Sequence, residues 1–495
     1  MGNNDIKNAK IQNFMKQKVH LIGAGPGDPL LITEKGKIIL KKVDVILYDF
    51  LCHPNLLRNC KKDALKICVG KQRDSHSHTQ EEIHTLIKKY HQENKSIARL
   101  KGGSPGIFGR LSEELLFLTK ENIPYEIVPG VSSANAASEL LGIPLSDRDF
   151  AHSIAFFTGF LKDNSPNEHI PKADTLVIFM GIKHLKVLCA RLLETQYYHP
   201  STPVCIHYKC SLAEAKTHFC SLKTLEKFNQ DSWHPSIIIL GKVVEHAQTF
   251  SWQHHSKLFQ KKIVLLRPNE IKESLSSSLQ LLGADVTLFS PYKIQKNKNA
   301  LNSITQTQIK KMDVLVFTSQ IAINFFFEHL KKQKIDHRNL HHLKILCIGN
   351  QSKVCLEKYG IIADYVSKTQ NSHDLSTYLN SLTPKKILYP CAEITKGHLE
   401  KTLNTQVHTL NKVAIYQKNT NKISNLLSNN SWIIFYSESA RFAIPKACWS
   451  KINVIQIGNP LTNFPASFKS YHQIKNEANS DYLADKISDI IINCE

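Results

Sequence analysis

The sequence has no apolar run near the ~18 residues needed to cross a membrane as a helix, so no membrane-spanning segment is expected. Its strongest runs, PSIIILG and SWIIFY, have the length of buried strands. The opening MGNNDIKNAKIQNFMKQK is polar and basic and lacks the apolar core of a secretory signal. Ile6 stands where a myristoylated N-terminus carries Ser or Thr. Residues 1–18 therefore read as a disordered extension of a cytoplasmic protein. None of the 12 cysteines forms a C-x-x-C pair, which leaves reduced, ordinary thiols as the expectation. The 24 histidines, including His76 with His78 and His341 with His342, lack metal-site spacing, and no metal is expected.

Against these absences stands a strong positive charge, with 63 Lys and Arg, 42 Asp and Glu, and a net +21. Such a field favours an anionic partner, and nucleic acid, anionic lipid and a polycarboxylate all qualify. The length of 495 residues exceeds a single core. Strand-like runs (VHLIGAG, VDVILYD, LKICVGK, SIARLKGG, YEIVPG) alternate with helical patterns such as TQEEIHTLIKKYHQE, where Thr79 and Glu82 form a capping-box signature. SIAFFTGF, TLVIFMG, TPVCIHY and PSIIILGKVV continue the α/β pattern to residue 247. A polar, aperiodic stretch at 248–261 reads as a linker, after which KIVLLRPNE starts a second α/β region at 262–495. Inside it DVLVFTSQIA resembles WIIFYSESA and ILCIGNQSKV resembles VIQIGNPLTN, which suggests two similar lobes.

The loop GAGPGDP at Gly23–Pro29 looks at first like a phosphate loop. The dinucleotide pattern G-x-G-x-x-G puts Asp28 at its third glycine, and the G-K-[ST] of a P-loop is missing. Asp28 would repel a pyrophosphate, and Pro26 removes an N–H donor. What remains is a loop suited to close backbone approach by a flat or cationic ligand.

GAGPGDP, Tyr48–Asp49, Gly70–Lys71, RLKGGSPGIFGR, VPGVSSANAASELLGIPLSDRD and Phe179–Gly181 occur in that order. The set resembles the tetrapyrrole methylase family over about 19–247, and within it the uroporphyrinogen-III C-methyltransferases. The resemblance implies two α/β/α subdomains flanking a cleft, S-adenosylmethionine as methyl donor, and a homodimer formed through this half. It places Pro26, Gly102, Gly103, Ser104, Ile107, Ser132, Ser133, Met180 and Cys210 at the cofactor. It also places Arg110, Glu113 and Arg148 at the substrate, with acid–base roles for Asp49 and Lys71. Guanidinium forks suit the carboxylates of uroporphyrinogen III. The sequence departs from the family twice, with Ser104 where GGDP has Asp, and with KCSLAEA around Cys210 where the loop usually has a glycine.

KIVLLRPNE, LQLLGADVTLFSPY, DVLVFTSQIA, ILCIGNQSKVCLEKYGI and VAIYQKN resemble uroporphyrinogen-III synthase over about 262–492. That resemblance implies a two-lobed α/β fold, with one lobe from 262–292 plus 418–495 and the other at 295–412. It implies closure of hydroxymethylbilane, with Thr318 and Ser319 at substrate carboxylates and Tyr416 as a donor assisting loss of the hydroxyl. Together the halves imply a bifunctional tetrapyrrole enzyme of the siroheme or cobalamin branch that needs neither nucleic acid nor membrane. Two other readings fit as well: a methyltransferase of this fold acting on RNA, and a methyltransferase fused to a non-catalytic tetrapyrrole-binding half.

Overall fold

Short runs rich in Val, Ile and Leu and closed by Gly or Asp favour strands that are buried on both faces, as in a parallel sheet. The computed structural model describes residues 18–494 except 59, 62, 71–77, 162, 164, 270–273, 368–371, 396–397, 424–426, 428, 459–467, 476 and 478. Within these it shows four sheets. Strands β1 (Val19–Gly23), β2 (Val45–Tyr48), β3 (Leu65–Cys68), β4 (Ile97–Lys101) and β5 (Tyr125–Val128) form an all-parallel sheet in the order β3-β2-β4-β1-β5. Strands β6 (Ile154–Thr158), β7 (Thr175–Phe179), β8 (Pro203–Tyr208), β9 (Lys216–Ser221) and β10 (Ser236–Leu240) form a mixed sheet in the order β6-β7-β10-β8-β9.

The helices needed for the site are α1 (Pro54–Arg58), α2 (Gln80–Gln92), α3 (Leu111–Lys120) and α4 (Ser133–Leu141). The α2 capping box forms as its sequence suggests: Thr79 Oγ1 accepts the Glu82 N–H at 3.2 Å, and Glu82 accepts the Thr79 N–H at 2.7 Å.

The second half adds β11 (Lys262–Leu266), β12 (Asp285–Phe289), β13 (Tyr292–Lys296), β14 (Val314–Phe317), β15 (Lys344–Ile348), β16 (Tyr365–Ser367), β17 (Lys386–Ala392), β18 (Thr409–Thr420), β19 (Trp432–Phe435), β20 (Asn453–Ile457) and β21 (Ser470–Ile474). One lobe is the parallel sheet β12-β11-β19-β20-β21, and the other is β13-β18-β17-β14-β15-β16. The antiparallel pair β13 and β18 carries the chain between them. The internal similarity is visible in space: β14 beside β15 and β19 beside β20 are parallel pairs, and β15 and β20 each run into a glycine at positive φ, Gly349 and Gly458.

The 248–261 stretch is not a loose tether. Trp252 Nε1 donates to Glu139 O at 2.9 Å, Gln260 Nε2 donates to Ala215 O at 3.1 Å, and Leu258 is buried in the core of the β11 sheet. Its polar composition hid three anchoring side chains. Beside it, Asn55 of α1 caps the outer strand β12: its Nδ2 donates to Val286 O at 2.7 Å, and its Oδ1 accepts the Leu288 N–H at 2.8 Å. An amide thus pairs with a sheet edge as a neighbouring strand would.

Candidate functional site: two clefts

Strands β1, β2, β4 and β5 end at one edge of their sheet, where the loops after parallel strands gather ligands. Gly25 and Gly103 bond each other there, Gly103 N–H to Gly25 O at 2.8 Å and Gly25 N–H to Gly103 O at 3.3 Å. A Cβ on Gly130 would lie 2.4 Å from Gly103 O and 2.7 Å from Gly23 Cα, so backbone packs directly on backbone. The first loop also presses against the loop after β8: a Cβ on Gly27 would meet Cys210 O at 3.0 Å, and Ser211 Oγ accepts the Asp28 N–H at 2.9 Å. The Asp28 carboxylate caps the next turn through Leu30 N–H at 2.8 Å, and burial pushes its pKa up.

Met180 follows β7 and is exposed, and the Phe108 ring, from the loop after β4, lies 4.8 Å from that of Phe179. Ile107 packs on the core cluster that holds Phe179 and Cys210. Ser132 caps α4 by accepting the Ala134 N–H at 3.3 Å, and Ser133 N lies 3.8 Å from the Cβ position of Gly103. The contacts bring Gly103, Ser133 and the loop holding Cys210 to the glycine loop, and put Ile107 against the core cluster of Cys210 and Phe179, the residue before Met180; Pro26, Gly102, Ser104 and Ser132 are their chain neighbours. The Cys210 side chain belongs to the core, with burial lifting its thiol to about 12, so only its backbone is offered to a ligand. Where a glycine was missing from this loop, Lys209 and Ser211 hold φ of 47° and 64°. Phe108, Arg110 and Met180 share the left-handed region, which places backbone strain around the cleft.

Behind the glycine loop lies a charge network that the sequence reading missed. Arg99 and Lys101 alternate on β4, and both meet Glu114 of α3, with Arg99 Nε at 3.1 Å and Lys101 Nζ at 2.7 Å from Oε1. All three are under 5% exposed. Arg99 Nη2 also bonds Asp49 Oδ1 at 2.6 Å, while Asp49 Oδ2 accepts the Gly102 N–H at 3.3 Å. Burial opposes charge on Arg99, but Asp49 and Glu114 outweigh it and raise its pKa; on Lys101 burial prevails and lowers it. The available signal was two cations two residues apart in a strand that must be buried on both faces.

Other expected residues fall differently. Arg110 and Glu113 form an exposed bidentate pair, Nε to Oε1 at 2.8 Å and Nη2 to Oε2 at 2.5 Å. Both Glu113 oxygens are therefore engaged by Arg110 rather than presented alone. Arg148 is exposed on the turn bridged by Asp147 and Ala151. Lys71 lies outside the described residues.

The second cleft opens between the lobes, with a volume of about 140 Å³ lined by Arg267, Tyr292, Ser319, Lys418, Tyr436 and Ser437 among others. Among the described residues no carboxylate lines it. The Arg267 guanidinium lies 3.9 Å over the Tyr436 ring. Lys418 has no acidic partner among the described residues, and desolvation lowers its pKa. Ser319 caps the helix α5 (Gln320–Lys332) by accepting the Ala322 N–H at 3.2 Å, and its Oγ lies 3.0 Å from the Tyr416 hydroxyl. Tyr416 is itself buried, and its hydroxyl meets the cleft through Ser319. Thr318 bonds the Tyr389 hydroxyl at 3.1 Å. Arg267 and Lys418 were not read from the sequence, because they sit at strand ends without a motif of their own.

Comparison with known proteins follows the same division. The family model for tetrapyrrole (corrin/porphyrin) methylases matches residues 18–226, and that for uroporphyrinogen-III synthase HemD matches 273–444. The chain is 28% identical over 495 residues to the porphyrin biosynthesis protein HemD of Ruminiclostridium josui, covering 95% of this chain and 98% of that one. It is 35% identical over 352 residues to a uroporphyrinogen-III C-methyltransferase of Bacillus subtilis, covering 70% of this chain and 72% of that one. It spans about half (53%) of the siroheme synthase of Acinetobacter baylyi, at 40% identity over 48% of this chain. A solved uroporphyrin-III C-methyltransferase from Thermus thermophilus, complexed with S-adenosyl homocysteine, aligns at 34% identity and TM-score 0.41 over 46% of this chain and 99% of that one. The glycine loops lie in the first recognised region and most of the interlobe cleft in the second, with Arg267 just before it, and the chain belongs to the tetrapyrrole methylases, as a uroporphyrinogen-III C-methyltransferase relative that carries a uroporphyrinogen-III synthase domain behind its methylase domain.

Proposed function

We propose that the C-terminal domain closes hydroxymethylbilane to uroporphyrinogen III, and that the N-terminal domain methylates that product twice to give precorrin-2. The observation that carries this reading is the presence in one chain of a cleft bearing Arg267 and Lys418, with no carboxylate among its described lining residues, and of a glycine loop packed backbone on backbone. The first suits a polycarboxylate and the second a flat, cationic cofactor without phosphate.

S-adenosylmethionine, when bound, supplies an electrophilic methyl group. The glycine-on-glycine contact of Gly23, Gly103 and Gly130 leaves no side chain in the way of such a ligand, and the Ser132–Ser133 turn closes the cleft beside it. Asp49 fixes the glycine loop through Gly102 N–H, and Arg99 fixes Asp49. Oδ2, held among the described residues by that long bond, is the atom to accept the proton that a pyrrole carbon sheds on methylation. Arg110 at the cleft rim exchanges Glu113 for a substrate carboxylate, and the freed Glu113 accepts a pyrrole N–H.

In the other cleft Arg267 and Lys418 hold carboxylates. The Ser319–Tyr416 hydroxyl pair donates to the departing hydroxyl, which leaves as water. Positioning then directs closure onto the inverted ring.

The test supplies full-length protein with hydroxymethylbilane under anaerobic conditions, with and without S-adenosylmethionine. Type III uroporphyrinogen without cofactor and a dimethylated product with it are expected. The spontaneous type I isomer alone refutes the synthase reading. No methylation of supplied uroporphyrinogen III refutes the methyltransferase reading and favours an RNA substrate.

A further inference from the structure

The segment 49–58 touches both clefts. It begins at Asp49, which holds Gly102 of the glycine loop, and Cys52 N–H turns back to Asp49 O at 3.0 Å. It then crosses to the synthase domain three times. His53 Nε2 lies 3.4 Å from Asp285 Oδ1, and Asn55 caps β12 as described. Arg58 Nη2 donates to Arg267 O at 2.5 Å and to Pro268 O at 2.9 Å. Arg267 and Pro268 form one lip of the interlobe cleft. One guanidinium nitrogen shared by two adjacent carbonyls fixes that lip in both distance and direction. The contact comes from the other domain and meets the backbone of Arg267, whose side chain stacks on Tyr436.

We propose that Arg58, a residue of the methyltransferase domain, is a positioning residue of the synthase cleft. It pins the Arg267–Pro268 backbone so that the Arg267 guanidinium stays stacked on Tyr436 and faces incoming carboxylates. This inference rests on the reading of Arg267 as a carboxylate-binding residue. The joint between the domains does not depend on Arg58 alone. Asn55 still caps β12, Lys262 Nζ bonds Glu214 at 2.5 Å, and Asp285 Oδ2 accepts the Ala213 N–H at 3.0 Å. Asp285 is nine-tenths enclosed, and burial pushes its carboxyl pKa up, but the His53 and Ala213 bonds outweigh that and hold it below the usual range. Removing the Arg58 side chain therefore loosens the lip without parting the domains.

The experiment uses the full-length chain and measures two reactions separately: closure of hydroxymethylbilane without cofactor, and methylation of supplied uroporphyrinogen III. Arg58→Ala should raise the synthase KM about tenfold, as expected for losing charge-assisted hydrogen bonds, with kcat changed by less than about twofold. Methyl transfer should be unchanged. Arg58→Lys, which restores a single donor, should recover part of the loss. Arg267→Ala should raise KM at least as much, and the double variant should be no worse than Arg267→Ala alone. If Arg267→Ala raises KM and Arg58→Ala does not, the positioning role is refuted while the reading of the cleft stands. If Arg267→Ala leaves KM unchanged, that reading falls and the inference with it. A proportional loss of both activities with a lowered Tm, unrelieved by Lys, would make Arg58 interdomain glue and overturn the proposal.

Discussion

Glu114→Gln should destabilise the N-terminal domain by about 3–5 kcal/mol, the cost of stripping one partner from a buried charge group. The Glu114 carboxylate has no solvent exposure, and its Oε1 serves Lys101 at 2.7 Å and Arg99 at 3.1 Å. Glutamine keeps the shape but leaves two enclosed cations with only Asp49, which reaches Arg99 from its far side. Burial already lowers the Lys101 pKa, so in the variant the cheapest relief is loss of its proton. The sign follows from linkage. A lysine whose folded pKa lies below its unfolded value binds fewer protons when folded, so the variant's stability should climb as pH rises between those two values. Thermal unfolding at pH 7 is the assay. At roughly 2–4 °C per kcal/mol for a domain of this size, the transition should fall by about 10 °C. Glu113→Gln, one residue away on the same helix but in an exposed pair, should cost less than about 1 kcal/mol. Near-equal shifts for the two variants would refute the claim that the buried network carries the domain.

Further outcomes follow from other features. Burial drives the His207 pKa down to about 4, so below pH 6.5 the unfolded chain takes up a proton that the folded one refuses. Stability attributable to His207 should fall by about 2 kcal/mol between pH 7.5 and 5, and His207→Gln should lose correspondingly less in urea melts; equal losses would refute this. Gly130→Ala forces a Cβ to 2.4 Å from Gly103 O and should weaken S-adenosylhomocysteine binding at least about tenfold by calorimetry. Gly106→Ala, with nothing within 4 Å, should leave that binding unchanged. Tyr416→Phe removes the hydroxyl behind Ser319 and should lower the synthase kcat about tenfold while methyl transfer is unaffected; an unchanged kcat would show that Ser319 acts alone.

Every strand with neighbours on both sides was legible in the sequence, and so were the apolar edge strands β3, β5, β6 and β12. VHLIG, SIARLK, TLVIF, KIVLL and DVLVF are central or nearly so, and their burial demands the apolar runs by which they were recognised. The unread strands β9, β13, β16 and β21 are all edge strands, where one side faces solvent and polar residues serve. The glycine loops were legible because backbone contact demands glycine at fixed places. The Arg99–Lys101–Glu114 network was not, since its partners lie on different elements and nothing local marks a pair. The same holds for Arg267, Lys418 and Arg58, whose meaning depends on which lobe or domain lies opposite. Tyr416 was found by motif, but its distance from the cleft, with Ser319 in between, is a fact of packing alone.

The single amide of Asn55 has a consequence for anyone who cuts this chain in two. A fragment starting near residue 261 keeps both lobes but loses the Asn55 side chain, which pairs with the β12 backbone from outside its sheet. Its outer strand would then offer open donors and acceptors beside the apolar run DVTLF, a template for the same edge of another copy. Poor solubility of such a fragment would report a bared edge rather than a defective lobe, and a short charged or proline-bearing replacement on β12 would be the remedy.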